Sequence, residues 1–148
     1  MIAPAIFVDV DTQRDFMDPD GALYVPGAVE IVDTLEALTH FAVARGIPVV
    51  ATMDAHAPDD PGFARYPPHC VRGTRGSQKI PQTLLPRHVV LPNAPGGALP
   101  EDADQIILEK QAFSMFDNVH AEEVMGRLGI RRCVVYGVAT ECCVRADV

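Results

Sequence analysis

The sequence predicts an α/β protein with three αβα layers, in which a mainly parallel sheet is flanked by helices. Two observations lead to this prediction. Apolar segments of strand length alternate along the chain with segments whose apolar residues recur at helical spacing. Several of the strand-length segments also run directly into a charged residue, as strands do when their carboxyl ends form a ligand-binding edge.

The first predicted strand spans residues 5–11, a continuous apolar run of the kind found in central parallel strands. A helix that Gly46 ends should follow, because apolar residues recur at helical spacing at Ile31, Leu35, Leu38 and Ala42. The remaining elements are strands at 48–53, 105–108 and 133–137, a short strand at 89–91, and a helix at 119–128 that Gly129 ends. The stretch 55–100 is rich in proline and glycine, and such a long irregular segment in a compact domain is usually functional.

Composition narrows the class of protein. The length of 148 residues predicts a single domain over residues 1–148. With 48% hydrophobic residues but no membrane-length apolar run and no leader, we expect a soluble protein of the cytoplasm. A net charge of −8 argues against nucleic acid or an anionic membrane as the main partner. The four cysteines form no CxxC pair, and in a reducing compartment we expect them to be free thiols.

Four reactive side chains lie at or just beyond the carboxyl ends of predicted strands, namely Asp11, Asp54, Lys110 and Cys143. Open α/β sheets bind their ligands at this edge. The sequence therefore predicts that these side chains converge on an active site.

Cys143 is the proposed nucleophile. Thr140 is a plausible N-cap, so that Cys143 falls in the first turn of a helix, where backbone N–H groups and the helix dipole stabilise a thiolate. The same N–H groups can hold an oxyanion. Cys142 competes for the role. Adjacent helical residues point in different directions, so only one of the two thiols should face the site, and position alone does not decide which.

Asp11 is the candidate base, because a buried carboxylate with a raised pKa can take the proton of a thiol and return it to a leaving amine. Asp9 lies deeper in the same strand and Asp15 lies further out in the loop, and both compete with Asp11. Lys110 could lower the pKa of the thiol and hold the carboxylate in place.

Asp54 and His56 are two residues apart in an extended segment and should point to the same side. Together with His69 they could hold a divalent metal in a facial arrangement with water in the open positions. Cys70 is a weaker candidate ligand. The aromatic residues Phe16, Tyr66 and Phe113 could line a pocket for a flat ring, although core packing explains each of them individually.

Taken together, these motifs resemble the isochorismatase-like cysteine hydrolases, and nicotinamidases most closely. The motifs that carry the resemblance are, in chain order, DTQRDFM (11–17), GALYVPGA (21–28), ATMDAH (51–56), PHCVRGT (68–74), Lys110 with FSMF (113–116), and GVATECCVR (137–145). They span nearly the whole chain in the order of the family, and in combination they are specific.

The resemblance implies a catalytic triad of Asp11, Lys110 and Cys143, and it selects Cys143 over Cys142. It implies a cis peptide between Val138 and Ala139 that aims the Ala139 N–H, together with that of Cys143, at an oxyanion. It places Phe16, Tyr66 and Val138 around the substrate, and it assigns Asp54, His56 and His69 to a metal, zinc first, with manganese or iron as alternatives. The implied reaction converts nicotinamide to nicotinate and ammonia through a thioester. A homo-oligomer is also implied.

Three features depart from the family pattern. Many nicotinamidases have a further histidine shortly after the Asp-x-His pair, and residues 57–63 contain none. The segment after Lys110 is short, as in family members other than nicotinamidases. Family members also continue beyond the helix of the nucleophile, so we expect the C-terminal part of the domain to be missing. Three alternative functions follow: another amide or ureido hydrolase, an isochorismatase that does not require Cys143, and a non-catalytic binding module.

Overall fold

A computed structural model describes residues 5–148, and its centre is a five-stranded parallel sheet. The strands are β1 (Ala5–Val10), β2 (Val49–Asp54), β3 (His88–Leu91), β4 (Gln105–Lys110) and β5 (Arg132–Gly137). In the sheet they are ordered β3-β4-β2-β1-β5, and every pair is parallel. Each predicted strand is confirmed to within two residues at either end.

Three α-helices accompany the sheet: α1 (Arg14–Met17), α2 (Val32–Ala44) and α3 (Ala121–Leu128). Short 3₁₀ turns occupy Ala28–Ile31, Pro61–Ala64, Pro81–Thr83 and Met115–Asp117. The predicted glycine stops are present, because Gly46 and Gly129 both adopt a left-handed backbone just beyond α2 and α3. Within residues 5–148, no helix is both long and apolar enough to span a membrane.

The side chains of β1 alternate between two apolar layers, which explains why both faces of the sheet must be covered. On one face Phe7 packs with Leu35 and Ala42 of α2. On the other face Val8 packs in the layer that contains Val124 of α3. These two layers confirm the predicted αβα architecture.

The connections on the two sides of β1 diverge and so create a cleft. The chain leaves β1 through α2 to reach β2 on one side, and it leaves β4 through α3 to reach β5 on the other. Ligands of open α/β sheets bind outside the carboxyl ends of the strands where the strand order reverses. In this chain that point lies between β1 and β5, the strands that precede Asp11 and Cys143.

The long segment between β2 and β4 is tied to the start of α1. The side chain of Gln13 donates to the carbonyls of Asp54 and Ser77 and accepts from the N–H of Asp54. Asp15 accepts from the N–H of Cys70, at 2.7 Å. A Cβ on Gly76 would lie 2.2 Å from the Asp15 carboxyl group, so only glycine fits there. These contacts hold the segment over the carboxyl edge of the sheet.

Candidate active site

Asp11 follows the last residue of β1 in a left-handed backbone conformation, with φ of 52°. Two hydrogen bonds with Thr52 of β2 fix its position. The Asp11 N–H donates to Thr52 Oγ1 at 3.2 Å, and the Thr52 hydroxyl donates to Asp11 Oδ1 at 2.6 Å. The second carboxylate oxygen is left for Lys110. A strained backbone held in this way by its neighbours is typical of functional sites.

Lys110 ends β4 and is fully buried. Its ammonium donates to Asp11 Oδ2 at 2.9 Å, to Asp54 Oδ1 at 2.6 Å and to the carbonyl of Ala112 at 3.0 Å. The Sγ atom of Cys143 lies 3.7 Å from the same nitrogen. The side chains of Asp11, Asp54 and Cys143 are therefore gathered around the ammonium of Lys110, so the four predicted groups do converge.

Cys143 lies in a turn of π-helix, Thr140–Val144, rather than in the first turn of a regular helix. Two N–H groups, those of Cys142 and Val144, donate to the carbonyl of Ala139, which makes the turn wide. The prediction that Thr140 is the N-cap is wrong, because Ala139 occupies that position and no side chain caps the turn. Thr140 instead begins the helical turn.

The prediction of a cis peptide between Val138 and Ala139 is also wrong, since residues 5–148 contain no cis peptide bond. Gly137, the last residue of β5, has a φ of 131° that other residues rarely adopt, and a Cβ there would lie 2.1 Å from the carbonyl oxygen of Val10. Glycine is therefore required at the point where the chain leaves β5 for the turn of Cys143.

The electrostatics of the four groups are interdependent. Burial raises the pKa of Asp11, and the charge of Lys110 only partly opposes this, so the raised pKa predicted for Asp11 is confirmed. Burial would also raise the pKa of Asp54, but hydrogen bonds from His56 and His69 and the charge of Lys110 hold it below its ordinary value. Burial would lower the pKa of Lys110, but the charges of Asp11 and Asp54 outweigh burial and raise it.

The thiol of Cys143 behaves differently from what its position predicted. We expected a helix terminus and Lys110 to stabilise a thiolate, but burial and the charge of Asp11 raise the pKa of Cys143 above its ordinary value. Lys110 opposes this rise without cancelling it, because its charge is already shared by two carboxylates. Burial and the charge of Asp11 thus both favour the neutral thiol of Cys143 over its thiolate.

The competitors of Asp11 have other partners. Asp9 forms a buried ion pair with Lys79. Asp15 accepts from backbone N–H groups in the loop. The sulfur of Cys143 lies 3.7 Å from the ammonium of Lys110. Cys142 also lines the cavity beside Cys143, contrary to the expectation that only one of the two residues would face the site.

Asp54, His56 and His69 form a group whose ligand atoms all lie within 4.8 Å of one another. Asp54 Oδ2 is 3.6 Å from Nε2 of His56 and 3.8 Å from Nε2 of His69. The other ring nitrogens are engaged elsewhere, by Asp60 at 2.9 Å and by the carbonyl of Pro67 at 2.8 Å. Both histidines thus present Nε2 toward the carboxylate, and this donor set fits a divalent metal.

A cavity of about 250 Å³ opens beside Cys143. It is lined by Phe16, Leu23, Tyr24, Val25, Pro26, Asp54, Tyr66, His69, Phe113, Ala139, Glu141, Cys142 and Cys143. Phe16, Tyr66 and Phe113 are therefore brought together at the cavity as expected. Val138 is not, because its side chain is buried in the apolar layer with Phe16 and Tyr136, one residue before the chain reaches the cavity.

Four residues that shape this site were not found from the sequence. Thr52 and Gln13 hold Asp11 and Asp54 in place, and Asp60 orients His56. Glu141 lines the cavity. An Asp four residues after a histidine is a weak signal that could have identified Asp60, but nothing local distinguishes Thr52 or Gln13 from ordinary core and loop residues.

A buried thiol, carboxyl and ammonium that meet at the carboxyl edge of a parallel sheet, beside a cavity, define an α/β protein equipped for covalent acyl chemistry. The chain belongs to the isochorismatase family of hydrolases, because the sequence model of the Isochorismatase domain matches residues 5–148. No curated protein matches the sequence significantly.

Solved structures agree with this assignment. A pyrazinamidase of Pyrococcus horikoshii in complex with zinc is 31% identical, with 96% of this chain and 74% of that one covered and a TM-score of 0.76. An N-carbamoylsarcosine amidase from Thermoplasma acidophilum is 28% identical, with 98% and 73% covered and a TM-score of 0.74. A nicotinamidase from Bacillus subtilis is 25% identical, with 95% and 74% covered and a TM-score of 0.75.

Proposed function

We propose that this protein is a metal-assisted cysteine amidohydrolase that converts nicotinamide, or a closely similar aromatic carboxamide, to the carboxylate and ammonia. The observation that carries the proposal is the contact set of Lys110, whose ammonium lies within 3.0 Å of two carboxylates and 3.7 Å from the thiol beside the cavity. Two similar structures, a pyrazinamidase and a nicotinamidase, support the same class of substrate.

In the first half of the reaction, Asp11 takes the proton of the Cys143 thiol, and the sulfur attacks the carboxamide carbon. The carbonyl oxygen becomes an oxyanion, which the N–H groups of Ala139 and Cys143 stabilise. Asp11 then gives its proton to the amide nitrogen. The carbon–nitrogen bond breaks, ammonia leaves, and the acyl group remains on Cys143 as a thioester.

In the second half, Asp11 takes a proton from a water molecule that adds to the thioester carbon. The carbon–sulfur bond breaks and releases the carboxylic acid, and the proton on Asp11 returns to Cys143. Asp11 thus begins and ends each cycle unprotonated. Burial favours its protonated form in the intermediate states, and Lys110 stabilises its charged form, so both states are accessible.

Asp54, His56 and His69 would hold the divalent metal, with zinc as the first candidate. When bound, such a metal supplies a fixed positive charge that orients a ring nitrogen and draws electrons from the ring. The aromatic residues around the cavity position the ring next to Cys143. Phe16 and Tyr66 each have a ring centroid within 6.4 Å of that of His69, so they lie beside the metal ligands.

The test is ammonia release from nicotinamide by purified protein supplied with zinc, manganese or iron, with Cys143→Ala measured in parallel. We expect release by the wild type and none by the variant. Cys133→Ser is the matched control, because it removes an exposed thiol at the start of β5.

Three other outcomes would overturn parts of the proposal. Release that survives in Cys143→Ala would remove the thioester and favour an isochorismatase-type mechanism. A folded, metal-loaded protein that acts on other amides but not on nicotinamide would change the substrate within the same chemistry. A protein whose Cys143 reacts with no amide and no thiol reagent would be a binding module.

A further inference from the structure

The charges around the cavity are unevenly distributed, and this has a consequence for the choice of substrate. Its ionisable lining residues include the carboxyl groups of Asp54 and Glu141, and none of its lining residues within 5–148 is a lysine or an arginine. Arg65 lines a second cavity of about 260 Å³, on the side of His56 and Asp60, and does not line the cavity of Cys143. A negatively charged substituent in the first cavity therefore meets no side-chain cation.

Lys110 cannot supply the missing cation, although it lies close to Cys143. An ammonium has three N–H donors, and those of Lys110 are directed to Asp11, Asp54 and the carbonyl of Ala112. The side chain is also fully buried. The positive charge nearest to the thiol is thus already engaged by protein oxygens and is not open to a ligand.

Glu141 differs from Asp54 in that its charge is not compensated. Asp54 is paired with Lys110 and lies beside His56 and His69. Glu141 is exposed, and within the described part of the chain its carboxylate forms no hydrogen bond or ion pair. A carboxylate that lines a substrate cavity without a partner is available to a ligand.

Glu141 and the candidate metal ligands Asp54 and His69 line the same cavity. Glu141 belongs to the turn that follows β5, two residues before Cys143, whereas Asp54 ends β2. A ring bound beside Cys143 therefore lies in the cavity that Glu141 borders.

We propose that Glu141 is a specificity-determining residue, which makes the cavity favour carboxamides with a cationic or hydrogen-bond-donating group on the β5 side and reject those with a carboxylate there. The inference deepens the proposed amidase function and rests on it for the identity of the substrate. The charge preference of the cavity can nevertheless be measured without any amidase activity.

The probe is the rate at which Cys143 reacts with three methanethiosulfonates of similar size, one carrying an ammonium, one neutral and one carrying a sulfonate. Zinc is supplied to every protein, and all of them carry Cys142→Ser. Modification of the proteolytic peptide that contains position 143 then reports on Cys143 alone. In Glu141→Gln we expect the ratio of cationic to anionic rates to fall by about fivefold, the range of a partly solvated charge pair.

Glu122→Gln is the matched control, because it removes the same charge from an exposed position on α3. Its ratio should equal that of the parent. An unchanged ratio in Glu141→Gln, an equal fall in Glu122→Gln, or a Cys143 that no reagent reaches would each overturn the proposal. Because the parent and both variants are supplied with zinc, the charge of the zinc affects all three rate ratios equally and does not enter the comparison.

A second measurement separates this inference from the proposed function. The kcat/KM values for nicotinamide and for ring-substituted nicotinamides bearing an ammonium or a carboxylate are compared in the parent and in Glu141→Gln. Loss of the preference for the ammonium derivative over the carboxylate derivative supports the inference, and an unchanged preference overturns it. If no amide is hydrolysed while the thiol-reagent ratio still shifts, the proposed reaction fails and the charge selection by Glu141 stands.

Discussion

Within residues 5–148, buried lysine and aspartate side chains meet around Lys79 and around Lys110, and the group around Lys110 lies beside the cavity of Cys143. At the first, Lys79 pairs with Asp9 in the middle of the fold. The hydroxyl of Thr12 donates to Asp9, accepts from Lys79 at 2.7 Å and lies 2.7 Å from the hydroxyl of Thr83. One positive charge meets one negative charge, and all groups are buried.

At the second place, Lys110 contacts two carboxylates, so its single charge is shared between Asp11 and Asp54. The thiol of Cys143 is near, and both Asp54 and Cys143 line the cavity. The two lysines are equally hidden from solvent, yet their surroundings differ in charge balance and in access. The Lys110 centre borders a cavity that is open to a ligand, whereas the Lys79 centre is buried among protein groups.

The contrast shows that a buried lysine–aspartate pair does not by itself indicate catalysis. Lys79 ties the long segment between β2 and β4 to β1, which supports the loop that carries His69. Asp9 and Asp11 are only two residues apart in the sequence, yet Asp9 pairs with Lys79 and Asp11 pairs with Lys110. Variants at the two centres test this division.

Asp11→Asn and Asp9→Asn remove the same charge from the two centres. We expect Asp11→Asn to lower the turnover of nicotinamide by about 10⁴-fold, because the amide cannot accept the thiol proton. Asp9→Asn should keep the turnover of its folded fraction within about threefold of the parent. The measurement is kcat corrected for the concentration of folded protein. Equal losses in both variants would contradict the division into a catalytic and a structural centre.

Lys79→Met removes the cation of the Lys79 centre and leaves Asp9 as an unpaired buried charge. We expect the free energy of unfolding to fall by about 3–5 kcal/mol. The double variant Asp9→Leu with Lys79→Met should recover most of that loss, since no buried charge remains. Urea unfolding followed by circular dichroism measures both. A double variant as unstable as Lys79→Met alone would show that the loss does not come from the unpaired charge of Asp9.

Asp60→Asn tests whether the Lys110 centre is linked to the candidate metal ligands, because Asp54 belongs to both groups. Asp60 accepts from Nδ1 of His56 and so directs Nε2 of that residue toward Asp54. Loss of its charge should weaken zinc binding by about 10- to 100-fold, as measured by competition with a chromogenic chelator. The neighbouring exposed Asp59→Asn should bind zinc like the parent. Equal affinities in all three proteins would exclude an orienting role for Asp60.

The pH dependence of kcat/KM should reflect the burial of Asp11. Burial raises the pKa of Asp11, so the carboxylate needed as base is lost as pH falls through a value above the ordinary 3.8. The free energy of unfolding depends on pH with the opposite sign. Because the raised pKa favours the protonated form of Asp11 in the folded protein, this residue stabilises the fold fully below pH 3.8, and that stabilisation is lost as the pH rises through the raised pKa. Below the inflection the rate should fall about tenfold per pH unit. An acidic limb at or below 3.8 would contradict a buried base.

The strands and the residues at their carboxyl ends follow from local patterns in the sequence. Apolar runs of strand length predicted all five strands, because strands covered on both faces need apolar side chains throughout. The rule that ligands bind at the carboxyl edge then identified Asp11, Asp54, Lys110 and Cys143, since each follows or ends such a run. These predictions needed no knowledge of contacts between distant residues.

Only the tertiary structure decided which partner each of these groups meets. Asp9 and Lys79 are 70 residues apart, and no local pattern pairs them. The pKa of Cys143 was predicted to fall and is raised instead, because burial outweighs the nearby ammonium, and burial depends on segments far away in the chain. The need for glycine at position 137 likewise arises from the tertiary structure, since the close approach of Val10 is a contact between neighbouring strands. Periodicity specifies which faces are buried, whereas charge balance and proton affinity depend on what the folded chain brings within a few ångströms.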